Sequence, residues 1–131
     1  MMQGKTYNIF ISHAWDYKDE YHRLCDLLNS APYFSWKDYS VPSHDPLTGA
    51  LRKQFDDRIQ LSSVVLVLSG MYAKYSNWMQ AEMRIAKSYN KPIIGIIPQG
   101  QDRVPVDVQQ IADELVRWNT DSIISAIRQH A

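Results

Sequence analysis

The sequence predicts an α/β protein in which a mainly parallel sheet is covered by helices on both faces. Short apolar runs rich in β-branched residues are too short for helices and indicate strands that are buried on both faces. Segments with apolar residues at helical spacing separate these runs. Strands that alternate with helices in this way are typical of βαβ units, and therefore of a parallel sheet.

Five segments have the composition of strands. The runs at 64–68 and 93–97 are apolar throughout, whereas the run at 36–41 alternates between apolar and polar residues. The predicted strands are Tyr7–Ser12, Trp36–Val41, Val64–Leu68, Ile93–Ile97 and a short edge strand at Leu115–Trp118.

Helices are predicted between these strands and after the last of them. All but the short one at 106–112 have an apolar stripe at helical spacing or a polar residue suited to cap the first turn. The predicted helices are about Tyr17–Asn29, one that starts at Thr48 or Gly49, Asn77–Tyr89 after the cap Ser76, a short one at Val106–Ala112, and a last one capped by Asn119 or Thr120.

The expected strand order is 2-1-3-4-5, as in a flavodoxin-like three-layer fold. Ligands of such sheets bind outside the carboxyl ends of the strands at the switch point, here between strands one and three. This rule selects the loop at 12–15, the loop at 41–47 and the segment at 69–75. There is no internal repeat, linker or low-complexity tract, so residues 1–131 are expected to form a single domain.

Composition excludes several classes of partner. Lys plus Arg and Asp plus Glu balance at 14 each, and no basic tract stands out, which argues against nucleic acid or an anionic membrane surface. The chain has neither a membrane-spanning run nor a signal-peptide pattern, and its one cysteine, Cys25, cannot form an internal disulfide, so a cytoplasmic location is expected. His22 and Cys25 are three residues apart, but nothing completes a metal site with them, and no metal is expected.

Glu82 is the unusual residue of the predicted helix at 77–89. Its helical neighbours three and four residues away are Trp78, Met79, Ile85 and Ala86, and none of them carries a charge. A carboxylate in an apolar stripe needs a compensating partner. That partner is either a group from elsewhere in the chain or a ligand held in a pocket beside an aromatic residue.

Several standard catalytic motifs are absent. The sequence has no GxGxxG after the first strand, no GxxxxGK[ST], no G-x-S-x-G and no Cys/His cluster. One carboxylate with hydroxyls and aromatics remains near the expected ligand edge, and this set suits glycosidic chemistry at a ribose. The alternative is that the aromatics belong to the core, which is favoured for Phe10 and Tyr72 and stays open for Trp15. The aromatic residues are Phe10, Trp15, Tyr72, Tyr75 and Trp78.

At these residues the sequence resembles a TIR domain over nearly its whole length. The strand that ends in Phe10-Ile11-Ser12-His13 is similar to the first TIR box. The stretches FISHAWDY, WKDYSVPSHDPL and RWNTDSI resemble the TIR-like proteins of prokaryotic antiviral systems, in particular Thoeris. The central TIR pattern is matched by Gly49, Leu51, Ser63, Leu68-Ser69, Tyr72, Ser76, Trp78 and Glu82.

The resemblance implies a TIR-like enzyme that cleaves NAD⁺ at the nicotinamide–ribose bond. Its product would be a cyclic or modified ADP-ribose that acts as a second messenger on a separate effector protein. NAD⁺ would be the substrate, with no other cofactor, and the BB loop at 41–47 would mediate self-association. The catalytic residue of the family maps onto Glu82. The expected substrate-binding residues are Phe10, Ser12, His13, Ala14, Trp15, Asp45, Ser69, Tyr72 and Trp78.

Two alternatives to this enzyme remain open at the level of sequence. Many TIR domains are adaptors, so the chain could be an interaction scaffold without catalysis, which would self-associate without consuming NAD⁺. The second alternative is an enzyme of the nucleoside transferase type, which acts on nucleosides in place of NAD⁺. The isolated Glu82 in its apolar stripe favours an enzyme over an adaptor.

Overall fold

A computed structural model of the chain describes residues 5–12, 18–40, 49–68, 76–97 and 106–131. Its centre is a five-stranded parallel sheet in the order β2-β1-β3-β4-β5, which confirms the predicted fold class and strand order. The strands are β1 (Thr6–Ser12), β2 (Ser35–Asp38), β3 (Val64–Leu68), β4 (Ile93–Ile97) and β5 (Glu114–Arg117).

Burial along the strands follows their position in the sheet. Every residue of β3 is buried because β1 and β4 flank it and helices cover both faces, and its bounds and those of β4 are the predicted ones. The edge strands β2 and β5 leave most of their residues exposed or half-buried. In the register of the central pair, Phe10 lies beside Val65 and Ser12 beside Val67.

Five helices are described, and each begins within one residue of its predicted start. The three helices for which an end was predicted also end within one residue of it. The apolar stripes of the helices face the sheet, with Leu24, Phe55 and Ile127 among the fully buried side chains. The helices are α1 (Lys18–Ser30), α2 (Gly49–Leu61), α3 (Ser76–Ser88), α4 (Val106–Ile111) and α5 (Thr120–His130).

Asn119 caps α5, which decides between Asn119 and Thr120, the two caps that the sequence left open. Its side-chain oxygen accepts the backbone N–H of Ser122 at 3.1 Å, and the residue itself has extended backbone geometry. This satisfies one of the free donors of the first turn. The cap starts a helix with Ile123, Ile124 and Ile127 buried against the rest of the fold.

Strand β2 is shorter than predicted, ending at Asp38 and not at Val41. The backbone N–H of Tyr39 still donates to the carbonyl of Ile9 at 2.8 Å. The next N–H, that of Ser40, turns back to the Asp38 carboxylate at 2.9 Å. A local side-chain bond therefore replaces the sheet ladder, as Asp side chains commonly do at strand ends.

None of the helices in the described part of the chain is both long enough and apolar enough to cross a membrane.

Candidate active site

Ser12 and Glu82 meet at the carboxyl edge of the sheet. Ser12 is the last residue of β1, and its hydroxyl donates a hydrogen bond to Oε1 of Glu82 in α3. Both side chains are buried, with exposed fractions of 0% for Ser12 and 2% for Glu82. The structure therefore brings together two of the predicted site residues at the edge where parallel sheets bind their ligands.

The position of Glu82 along helix α3 places it at this edge of the sheet. Glu82 lies six residues after the first residue of the helix, roughly 9 Å along the axis. Met83 and Ala86 are fully buried on the same helix, whereas Gln80 and Arg84 form an outward pair with an Nη2–Oε1 distance of 3.2 Å. The polar pair marks the outer face, so Glu82 belongs to the inner one.

The burial of Glu82 requires compensation, and the Ser12 hydroxyl provides part of it. Transfer of a carboxylate from water into an apolar interior is costly unless donors replace the lost water. A hydroxyl that donates to an ionised carboxylate forms a charge-assisted bond, which is stronger than a neutral one. The sequence indicated that Glu82 needed a partner, and the structure identifies one in β1.

The structure places Phe10 in the hydrophobic core. Its ring is 0% exposed and lies 6.0 Å from the ring of Phe55 in α2, with the two planes tilted by 58°. The two rings pack against each other inside the core cluster. This position agrees with the core interpretation that the sequence favoured for Phe10. The substrate contact that the TIR resemblance implies for Phe10 stays a prediction.

The backbone of Trp78 belongs to α3, one turn before Glu82, and its side chain lies outside the described residues. Six other predicted substrate contacts fall outside them entirely and stay predictions. These are His13, Ala14, Trp15, Asp45, Ser69 and Tyr72.

A chain of polar contacts leads from the end of β2 to β1 beside Ser12. Asp38 accepts hydrogen bonds from the hydroxyl of Tyr21 in α1 and from the backbone N–H of Ser40. The Ser40 hydroxyl in turn accepts the backbone N–H of Ile11 at 2.8 Å. Ile11 directly precedes Ser12, so these contacts fix the strand that presents the Ser12 hydroxyl to Glu82.

Burial and the charge of Asp38 shift the pKa values of two side chains next to these polar contacts, Tyr21 and Cys25. Burial first, then the hydrogen bond to Asp38, raises the pKa of the Tyr21 hydroxyl. Burial first, then the negative charge of Asp38, raises the pKa of the Cys25 thiol to about 11. Both groups therefore stay protonated near neutral pH, and Tyr21 remains a donor to Asp38.

Sequence reasoning did not find Asp38 and Ser40. The one available signal was their spacing, since an Asp two residues before a Ser is able to accept the backbone N–H of that Ser in a turn. The alternation in 36–41 instead predicted a longer strand. Among the residues that the structure describes, no group of three or more His, Cys, Asp or Glu is placed to hold a metal ion.

Comparison with protein families gives a match that covers the edge just described. The family model for the TIR-like domain of the Thoeris protein ThsB matches residues 10–103, more than half of the 131-residue chain. Both Ser12 and Glu82 fall within the matched part. No curated protein matches the chain.

Proposed function

The chain belongs to the TIR-like domain family of the Thoeris protein ThsB, and from this premise we propose that it is an enzyme that cleaves NAD⁺ at the nicotinamide–ribose bond. Membership indicates a TIR-domain protein of antiviral defence. The observation that carries the proposal is the buried Glu82 carboxylate, which accepts the Ser12 hydroxyl at the carboxyl edge of the sheet.

In the proposed reaction, the bond between the nicotinamide nitrogen and C1′ of the ribose breaks. Its electron pair leaves with nicotinamide, which becomes neutral, while positive charge develops on the ribose. Glu82 accepts hydrogen bonds from the ribose hydroxyls and stabilises this charge. Burial strengthens the stabilisation, because a carboxylate away from water acts at a lower effective dielectric constant.

The ribosyl cation can react with either of two nucleophiles, and the two reactions give different products. Attack by water forms a C–O bond, releases a proton and gives linear ADP-ribose. Attack by a nucleophile within the ADP-ribose moiety gives a cyclic product. We propose that the product is a cyclic or otherwise modified ADP-ribose. It would act as a second messenger of antiviral defence on a separate effector protein.

Other parts of the proposal rest on the resemblance to TIR domains. Trp15, Tyr72 and Trp78 would hold the nicotinamide and adenine rings, and the loop at 41–47 would mediate self-association. NAD⁺ is the substrate, and no further cofactor is needed for the bond cleavage. The proposed location is the cytoplasm, where NAD⁺ is available to the enzyme.

The decisive experiment compares Glu82→Gln with the wild type in the same assay. Purified proteins at high concentration are incubated with NAD⁺, and mass-resolved chromatography follows nicotinamide and its partner product. Glu82→Gln is expected to lower the rate at least about a hundredfold, because it removes the stabilising charge and keeps the side-chain shape. Glu82→Ala should behave in the same way.

Glu114→Gln is the matched control, since Glu114 lies at the start of β5, on the opposite edge of the sheet, where it pairs with His130 at 2.8 Å. It should retain the wild-type rate, and urea unfolding should show that all variants fold. Full activity in folded Glu82→Gln would overturn the assignment. Concentration-dependent self-association without any loss of NAD⁺ would favour the scaffold.

A further inference from the structure

Tyr33 projects from the edge of the sheet that lies opposite Glu82. It follows α1 and precedes β2, and its side chain is 96% exposed. Its φ is +58°, in the left-handed region that a bulky residue adopts only at a cost in free energy. A large aromatic ring is thus held in water on a strained backbone, a combination that points to function.

Neighbouring side chains hold the backbone of Tyr33 and the ring of Phe34, the next residue. Arg128 in α5 donates from Nη2 to the Tyr33 carbonyl at 3.0 Å, and its guanidinium lies 5.8 Å from the centre of the Phe34 ring. Phe34 stacks on Tyr7 with a centroid distance of 5.3 Å and an interplanar angle of 12°. The backbone that carries the projecting ring is therefore held in place, which lowers the entropy lost on binding.

A pocket of about 310 Å³ opens at the same edge of the sheet. Pockets near this size hold small ligands, so one aromatic side chain is within its capacity. Two of its lining groups are ion-paired, with Lys87 Nζ 3.5 Å from Oδ1 of Asp113. The pocket is lined by Lys87, Asn90, Lys91, Pro92, Asp113 and His130.

One wall of this pocket is a rigid helix end. Asn90 has a φ of +56° and closes α3, where its N–H donates to the carbonyl of Lys87 at 3.0 Å. The N–H of Lys91 donates to the carbonyl of Ala86 at 2.9 Å. These two bonds form a Schellman motif, which fixes the direction of the chain into Pro92.

The chemistry of the pocket suits a phenol. Lysine ammonium groups attract the face of an aromatic ring, and a proline ring offers it an apolar surface. The Asp113 carboxylate is an acceptor for a phenolic hydroxyl, since one of its oxygens pairs with Lys87 and the other accepts the backbone N–H of Ile93 at 2.8 Å, and each oxygen can accept more than one bond.

The last turn of α5 lies between the projecting ring and the pocket. Arg128 holds Tyr33 on one side of this turn, and His130 lines the pocket on the other. A two-fold axis beside this turn would set the ring of each copy against the pocket of the other, as an isologous interface requires. The formal net charge of zero leaves no overall repulsion between copies.

We propose that the amino edge of the sheet is an interface between two copies of this chain, in which Tyr33 of each copy enters the Lys87–Lys91–Asp113 pocket of the other. This interface goes beyond the proposed function, because it uses the edge opposite Ser12 and Glu82 and leaves the carboxyl edge open to substrate. Aromatic side chains that fill a pocket are the usual energetic centres of interfaces.

Sedimentation equilibrium of the full chain over a wide concentration range tests the interface. The wild type is expected to show a monomer–dimer equilibrium. Tyr33→Asn removes the ring and suits the left-handed backbone, so the turn is kept; Lys91→Glu removes a cation and adds repulsion beside Asp113. Each should weaken the dimer about tenfold or more. Val106→Ala, which truncates another exposed apolar side chain, in α4, should leave the dimer unchanged.

Mixing the two variants tests the pairing itself. A dimer of Tyr33→Asn with Lys91→Glu contains one intact ring in one intact pocket, whereas neither variant alone retains such a contact. The mixture should therefore associate more strongly than either variant. Any of three results would overturn the proposal, whatever the result with NAD⁺: the wild type stays monomeric, Tyr33→Asn dimerises as strongly as the wild type, or the mixture associates no more strongly than either variant alone.

Discussion

The hydroxyl of Ser12 donates to the carboxylate of Glu82, although the two residues are 70 positions apart in the sequence. One ends strand β1 and the other lies in helix α3, so the contact exists only when the sheet and the helix are both in place. The two side chains are almost completely removed from solvent. Proper folding of the central sheet is thus coupled to the orientation of the proposed catalytic carboxylate.

Ser12→Ala should lower both activity and stability. It removes a donor from a buried carboxylate, and a hydrogen bond to a charged group contributes about 1.5–3 kcal/mol. If this bond orients Glu82 in the transition state, the rate of nicotinamide release should fall about tenfold to a hundredfold. Urea unfolding and the NAD⁺ assay measure the two effects on the same preparation.

Ser63→Ala is the matched control for this substitution. Ser63 precedes β3 at the amino edge of the same sheet, and its hydroxyl oxygen accepts the backbone N–H of Asn8 at 3.2 Å. Its loss should cost stability without a specific effect on the rate. Equal rates for Ser12→Ala and Ser63→Ala would mean that the Ser12 hydroxyl does not orient Glu82.

Phe10→Leu distinguishes a core residue from a substrate contact. The ring of Phe10 packs on Phe55, so the smaller side chain should lower the free energy of unfolding by about 1–2 kcal/mol. The KM for NAD⁺ should not change. Phe55→Leu alters the other ring of the same pair and should give the same two results; a raised KM in Phe10→Leu alone would show that this ring contacts the substrate.

Cys25 should resist alkylation in the folded protein. Burial first, and then the charge of Asp38, raises the pKa of its thiol from 9.0 to about 11. Because the thiolate is the reactive form, iodoacetamide at pH 8 should modify the folded protein about a hundredfold more slowly than the unfolded chain. The contribution of this group to stability is present below pH 9 and is lost as the pH rises towards 11.

Asp38→Asn should shift the alkylation profile of Cys25 to lower pH, since it removes the charge of Asp38. Asp57→Asn, which removes an exposed carboxylate in α2, should leave the profile unchanged. A profile of the folded wild type centred near pH 9 would contradict the expected burial of the thiol.

The strands and helices were predictable because their signals are local. The continuous apolar runs of β3 and β4 can be buried on both faces only in a covered parallel sheet, and this requirement also limits the strand order. The uncharged helical neighbours of Glu82 showed that its carboxylate needed a partner. Apart from the strand order, these inferences use residues at most four positions apart.

The partners in space were not predictable in the same way. Nothing near Ser12 in the sequence indicates that its hydroxyl reaches Glu82, and nothing near Asp38 indicates Tyr21, because both contacts depend on how helices pack on the sheet. Phe10 was ambiguous for a related reason. A strand at the centre of a sheet buries both of its faces, so alternation does not separate a core ring from a ring that lines a site.

Ser40→Ala tests whether the contacts at the end of β2 support the site. The Ser40 hydroxyl accepts the N–H of Ile11, so its removal withdraws an acceptor from a buried backbone group, at a cost of about 1–3 kcal/mol. Because Ile11 directly precedes Ser12, the end of β1 should become less well fixed, and kcat should fall while KM for NAD⁺ changes little. Ser40→Thr keeps the acceptor and should restore both stability and kcat. A stable Ser40→Ala protein with the kcat of the wild type would show that Ser12 is positioned by the β1–β3 ladder alone.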